Sequence, residues 1–184
     1  MARRGRPELK VVLDSSAIYS GTASDLLRHE VAQLIQEGSK HSDLVMRWYL
    51  PEVVVHERKY QMQRKGFDLL PSIEKLEALP GHGLGINADI IKSRVEDAAS
   101  KQIDELGLIV SPLAAEDVDW SRLMLDAVYR RPPFEIGEKE KGFRDALIAE
   151  TFLQVVAAAP STPRLCWIRG HQYQGSPGPH PSSE

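Results

Sequence analysis

The chain of 184 residues contains one cysteine, Cys166, which excludes both an internal disulfide framework and a cysteine-based zinc site. It also lacks any run of the roughly 18 to 20 apolar residues that a membrane span requires. The basic residues 1–10 have no apolar stretch of signal-peptide type behind them. We therefore expect a cytoplasmic protein with no membrane partner.

Excess positive charge is missing as well. The chain carries 23 Lys and Arg against 26 Asp and Glu, a formal net charge of -3. This balance argues against a protein that coats duplex DNA through bulk positive charge. It does not exclude a nuclease, because a nuclease needs acidic residues in its active site and only a few basic residues around it.

Short apolar runs bounded by polar turn formers predict strands at residues 9–13, 46–50, 108–110 and 165–168. Capping and stop signals predict helices after Thr22 or Ser24 up to Gly38, and at 51–60, 71–79, 87–106, 116–129 and 142–158. Strands separated by helices predict a three-layer α/β/α domain with a mainly parallel central sheet. We expect a basic segment at 1–8, one domain at 9–174, and a disordered tail at 175–184.

Three acidic residues lie at positions that suit a catalytic or metal-binding role. Asp14 ends the first strand, at the edge where α/β sheets bind ligands, although a helix cap or turn also explains it. Glu57 lies within the helix after Pro51, where a solvated helical face is the alternative. Asp145 opens a strongly apolar helix, where burying an ionised acid is costly unless a partner such as a divalent cation compensates it. A first-turn acid that the helix dipole stabilises is the alternative for Asp145.

The sequence stretches around these acids, residues 11–16, 50–57, 133–134 and 141–148, come in an order that resembles the PIN domain family. The similarity is to the larger bacterial PIN-like proteins rather than to the short toxin type. It implies a metal-dependent ribonuclease with clustered acids at the carboxyl ends of a parallel sheet. The expected cofactor is Mg²⁺ or Mn²⁺, and the expected products are 5′-phosphate and 3′-hydroxyl ends.

The resemblance assigns roles residue by residue. Asp14, Glu57 and Asp145 match the first, second and third acids of the family, so it implies that they are the catalytic metal ligands. Ser16 matches the small polar residue that follows the first acid and helps to order the site. Metal ions held by such carboxylates would lower the pKa of a bound water and shield charge on the scissile phosphate.

Basic residues surround the third acid. Lys141 and Arg144 are expected to bind the phosphates of single-stranded RNA, with a charged solvated loop as the alternative.

The fourth acid of the family is missing. After the last predicted strand, residues 169–174 contain no Asp or Glu. His171 or Gln172 could position a water there. Glu150 is the nearest replacement, but at i+5 from Asp145 it points about 140° away around the helix.

Three alternatives to an active ribonuclease remain open. The first is a catalytically impaired PIN scaffold that binds RNA or a protein partner. The second is the toxin of a toxin–antitoxin pair, which would bind an antitoxin-like protein. The third is a generic α/β fold whose acids are all caps. A homodimer is possible by analogy, because PIN relatives are often dimers, but the sequence does not determine the oligomeric state.

Overall fold

The structure is a computed structural model that describes residues 6–79, 83–134, 141–159 and 164–168, the last range as backbone only. In chain order its elements are β1 (Glu8–Leu13), α1 (Ser15–Ile18), α2 (His29–Gly38), β2 (Val45–Pro51), α3 (Glu52–Phe67), α4 (Leu70–Ala78), α5 (Ala88–Glu105), β3 (Ile109–Ser111), a 3-10 turn (Ala115–Asp117), α6 (Trp120–Val128), α7 (Phe143–Ala157) and β4 (Arg164–Ile168). This order of strands and helices is that of an α/β protein.

The strands form one parallel sheet in the order β3-β2-β1-β4. In the central pair, Val11 of β1 lies opposite Trp48 of β2. Because all these strands are parallel, β1 and β2 end at the same edge, which we call the carboxyl edge of the sheet. The predicted three-layer α/β/α class with a parallel central sheet is confirmed.

The core explains why β1 is central. Val11, Val12 and Leu13 are buried in succession rather than alternately, as expected for a strand covered on both faces. Val11 and Leu13 belong to a core that also takes side chains from β2, α2 and α3. A smaller cluster, which includes Phe134 and Ala146, packs the beginning of α7 against the preceding loop and α6. This second cluster positions the α7 end that carries Asp145.

The helix predicted after Thr22 or Ser24 begins later, at His29. The hydroxyl of Thr22 instead donates to the Asp25 carboxylate at 2.7 Å and accepts from the Asp25 amide at 3.3 Å, which closes a local turn. Gln102 of α5 accepts from the Leu26 amide at 2.9 Å. Residues 22–28 therefore form a loop whose backbone is hydrogen-bonded by side chains, and the predicted helical start was wrong.

The other helices begin closer to their predicted starts. Pro51 ends β2 in an extended conformation, so α3 begins at Glu52 and not at the proline. The helix predicted from 116 begins at Trp120, because the Asp119 side chain caps it by accepting from the Arg122 amide. The predicted cap at Asn87 is confirmed, since its side chain accepts from the amides of residues 89 and 90.

Glu8 belongs to β1 and not to a separate N-terminal segment. The predicted tail at 175–184 and the stretch 169–174, where the fourth acid is missing, lie outside the described residues. Within the ranges that the structure covers, no helix has the length and apolar character needed to cross a membrane.

Candidate functional site

Asp14 follows the last residue of β1 at the carboxyl edge of the sheet. Its position makes it the N-cap of α1, yet its side chain forms no capping hydrogen bond. The residue is 4% exposed, and its carboxylate accepts from the hydroxyls of Ser16 at 3.1 Å and Ser15 at 3.3 Å. Burial of an acid is costly unless hydrogen bonds compensate it. Ser16 therefore contacts the first acid directly, and helix capping does not account for the Asp14 side chain.

Glu57 lies in the second turn of α3, and its side chain is only 12% exposed. It is not part of a solvated helical face. Its Oε1 atom accepts from the Gln61 amide at 3.2 Å and forms an ion pair with Arg144 of α7. Two donors from two helices therefore hold the Glu57 carboxylate.

The orientation of Gln61 is set by a buried arginine. Arg58 is 1% exposed and donates to Oε1 of Gln61 at 2.9 Å. Because a guanidinium has donors and no acceptor, Gln61 must turn its carbonyl oxygen towards Arg58 and its amide nitrogen towards Glu57. A chain of hydrogen bonds thus runs from Arg58 through Gln61 to Glu57.

Arg58 also supports the loop that follows α1. Its guanidinium donates to the backbone carbonyls of Asp25 at 2.6 Å, Leu26 at 3.1 Å and Thr22 at 3.3 Å. Burial lowers the pKa of Arg58, while the nearby Tyr19, Asp25 and Glu57 act in the opposite direction. Arg58 was not predicted as a site residue. The signal that could have identified it is its spacing, because it lies four residues after the buried Val54 and so on the same buried face of α3.

Asp145 is half-buried in the first turn of α7. The helix begins after Gly142, whose φ of +107° is one that side-chain-bearing residues rarely adopt. A Cβ at this position would lie 2.7 Å from Cα of Phe134 and would also meet the carbonyl oxygen of Pro133. This close approach requires glycine and sets where α7 begins, and with it the position of Arg144.

The Glu57–Arg144 ion pair joins α3 to the turn of α7 that also carries Asp145. Helix α3 contacts α1 as well, which begins directly after Asp14. The segments that carry the three acids therefore converge. Yet among the described residues no three His, Cys, Asp or Glu side chains are grouped so that they could hold a metal ion.

The candidate side chains Asp14, Ser16 and Asp145 carry only oxygen donors, the ligand type that a hard divalent cation prefers. Mg²⁺ commonly binds through one or two carboxylates and keeps several waters, so three protein ligands are not required. Arg144 neutralises Glu57 in this arrangement.

The remaining residues predicted for the site differ in their exposure and in the partners that they contact. Lys141 is exposed just before α7, and Arg144, predicted to bind RNA, is also exposed although it pairs with Glu57. Glu150 forms an ion pair with Arg122 of α6, and that pair accounts for its carboxylate. His171 lies outside the described residues.

Comparisons with known proteins find no match to this chain. Protein-family models, curated proteins and solved structures were each searched with this chain, and none of them matches it. The resemblance to the PIN family therefore remains a prediction that rests on the order of the motifs around Asp14, Glu57 and Asp145.

Proposed function

We propose that this protein is a PIN-like, divalent-metal-dependent ribonuclease that hydrolyses phosphodiester bonds of single-stranded RNA in the cytoplasm. The observation that carries the proposal is the buried carboxylate of Asp14, which lies at the carboxyl edge of a parallel sheet and takes no part in capping α1. Ligands of open α/β sheets bind beyond this edge. A buried acid there, ordered by hydroxyl groups, suits a metal ligand better than a structural cap.

In the proposed site Asp14 and Asp145 hold Mg²⁺ or Mn²⁺, and Ser16 orients Asp14 through its hydroxyl group. Such an ion would lower the pKa of a bound water and offset negative charge on the phosphate. Glu57 contributes as a ligand when its carboxylate is released from Arg144. An RNA phosphate is the natural competitor for Arg144, because a guanidinium binds phosphate and carboxylate oxygens in the same way.

Lys141 supplies a second basic side chain at the beginning of α7. The side chains of Lys141 and Arg144 are exposed, so RNA can reach both without any change in the core. Contacts of this type hold the backbone and carry no information about base sequence. The proposed nuclease therefore selects its substrate through features other than these two contacts.

The experiment is cleavage of a labelled single-stranded RNA pool in Mn²⁺, Mg²⁺ or EDTA by wild type, Asp14→Asn and Asp97→Asn. Asp97 is an exposed acid of α5 and supplies the matched control. We expect metal-dependent cleavage that Asp14→Asn lowers by at least about 100-fold, beyond the loss typical of a residue that only orients a ligand. Asp97→Asn should cleave like wild type.

Cleavage that persists in EDTA or in Asp14→Asn would refute the proposal. Thermal unfolding of each variant separates loss of activity from loss of fold.

A second candidate function is a catalytically impaired scaffold that binds RNA. The Glu57–Arg144 ion pair favours it, since a neutralised second acid weakens a metal site. Its signature would be RNA binding by a folded wild type without metal-stimulated cleavage and without Mn²⁺ binding by calorimetry.

A further inference from the structure

An apolar cavity of about 480 Å³ lies between α3, α5 and the segment at residues 23–24. Met62 of α3 and Val95 of α5, which line it, are both buried core residues. Ile90 and Ile91 complete the apolar wall. None of the three candidate acids lines this cavity, so it is a separate feature from the carboxyl edge of the sheet.

Small residues at three positions shape this space, two by leaving it open and one by letting its walls approach. Ala23 faces the cavity from the loop and Ala98 from α5, and neither fills it with a side chain. At the third, Gly66, a Cβ would lie 2.6 Å from Cγ2 of Ile91, so α3 and α5 approach closely there. The volume lies within the range of about 300–1,000 Å³ that is usual for small-molecule sites.

Two polar side chains line the otherwise apolar cavity, Arg94 and Ser24. Within the described part of the chain, the Arg94 guanidinium forms no ion pair and the Ser24 hydroxyl no hydrogen bond. Lys92 on the same helix, in contrast, is paired with Asp89. The cavity thus combines an apolar interior with a cation that forms an ion pair with none of the described acids.

We propose that this cavity binds a small amphipathic carboxylate, with its aliphatic body against Met62, Ile90 and Ile91 and its carboxylate on Arg94. Apolar walls with a few polar groups that fix orientation are the usual composition of a ligand site. The charge of Arg94 selects an anionic head group, and a volume of about 480 Å³ accommodates an aliphatic chain of medium length. This proposal is independent of the proposed ribonuclease activity.

The test is a titration of the full chain with decanoate, and separately with decan-1-ol, followed by NMR of the methionine and isoleucine methyl groups. We expect saturable shifts confined to Met62, Ile86, Ile90 and Ile91, with decanoate binding more tightly than the alcohol. An apolar cavity without an anion-binding group would prefer the alcohol, because burying a charged head group is costly.

Variants separate the two parts of the site. Ala98→Leu, or Ala23→Leu from the opposite wall, should weaken decanoate binding by about tenfold or more by occupying the space. Arg94→Gln should weaken decanoate by about two- to fivefold, the effect of a solvent-exposed ion pair, and leave decan-1-ol unchanged. Lys92→Gln, the matched control on the same helix, should bind like wild type.

Three results would overturn the proposal. They are absence of saturable decanoate binding, equal or tighter binding of the alcohol, and decanoate affinity that neither filling variant lowers. Since methyl spectra also report folding, a variant that fails to fold is recognised directly and the other filling variant decides.

Discussion

Replacement of Arg58 by methionine tests whether a buried guanidinium holds the loop at residues 22–28. Methionine keeps an unbranched apolar side chain and removes every donor. Four hydrogen bonds are lost, to the carbonyls of Thr22, Asp25 and Leu26 and to the side chain of Gln61. We expect the free energy of unfolding to fall.

The exposure of each acceptor sets the size of this loss. Thr22 is exposed and Asp25 partly so, and water can replace Arg58 there, whereas Leu26 is fully buried. Hydrogen bonds to charged groups contribute about 1.5–3 kcal/mol each. Removing a desolvated charge offsets part of this, so the expected loss is about 2–4 kcal/mol. With a urea m-value of about 2 kcal/mol/M, the midpoint would fall by about 1–2 M.

The assay is urea unfolding followed by tryptophan fluorescence, to which the buried Trp48 contributes. Arg64→Met is the matched control, since Arg64 lies on the same helix and is exposed. It should stay within about 0.5 kcal/mol of wild type. If Arg58→Met were no less stable than Arg64→Met, Arg58 would not be supporting the loop.

Three further outcomes are expected. Gly142→Ala should lose about 2–3 kcal/mol in urea unfolding, because alanine is strained at this positive φ and meets the preceding loop, and wild-type stability would contradict that geometry. Asn87→Ala should lose about 1 kcal/mol in the same assay through loss of its cap, and a change near zero would show that water replaces it. Arg144→Gln should bind Mn²⁺ about tenfold more tightly by calorimetry, since it removes the cation beside Glu57. Arg122→Gln, a control that removes a different ion pair to α7, should not change Mn²⁺ affinity, and equal effects would argue against competition at Glu57.

The strands were predictable because each is a short apolar run bounded by polar residues. β1 begins one residue before its predicted start, at Glu8, and its last four residues are buried in succession, as its apolar run indicates. The cap at Asn87 was predictable for the same reason, because a capping side chain bonds to the amides two and three residues ahead of it. Signals of this kind extend over only a few residues.

The beginning of α2 was not predictable in this way. Thr22 and Ser24 carry the usual cap signal, but α2 begins at His29. Arg58 and Gln102, which lie far along the chain, bond to the loop backbone and offer it partners that a helix would otherwise supply. Hydrogen bonds from distant side chains therefore override the local preference.

The candidate site, like the fold, has some features that local sequence patterns predict and others that only the packing of the helices determines. Because Asp14 directly follows an apolar strand, the sequence by itself determined that it lies at a strand end. The α/β class followed from the same local patterns. Only the tertiary structure decided that Glu57 is paired with Arg144, 87 residues away, and that Arg58 is buried beside it. Local patterns depend on neighbours within one or two turns, whereas an ion pair between helices depends on how those helices pack.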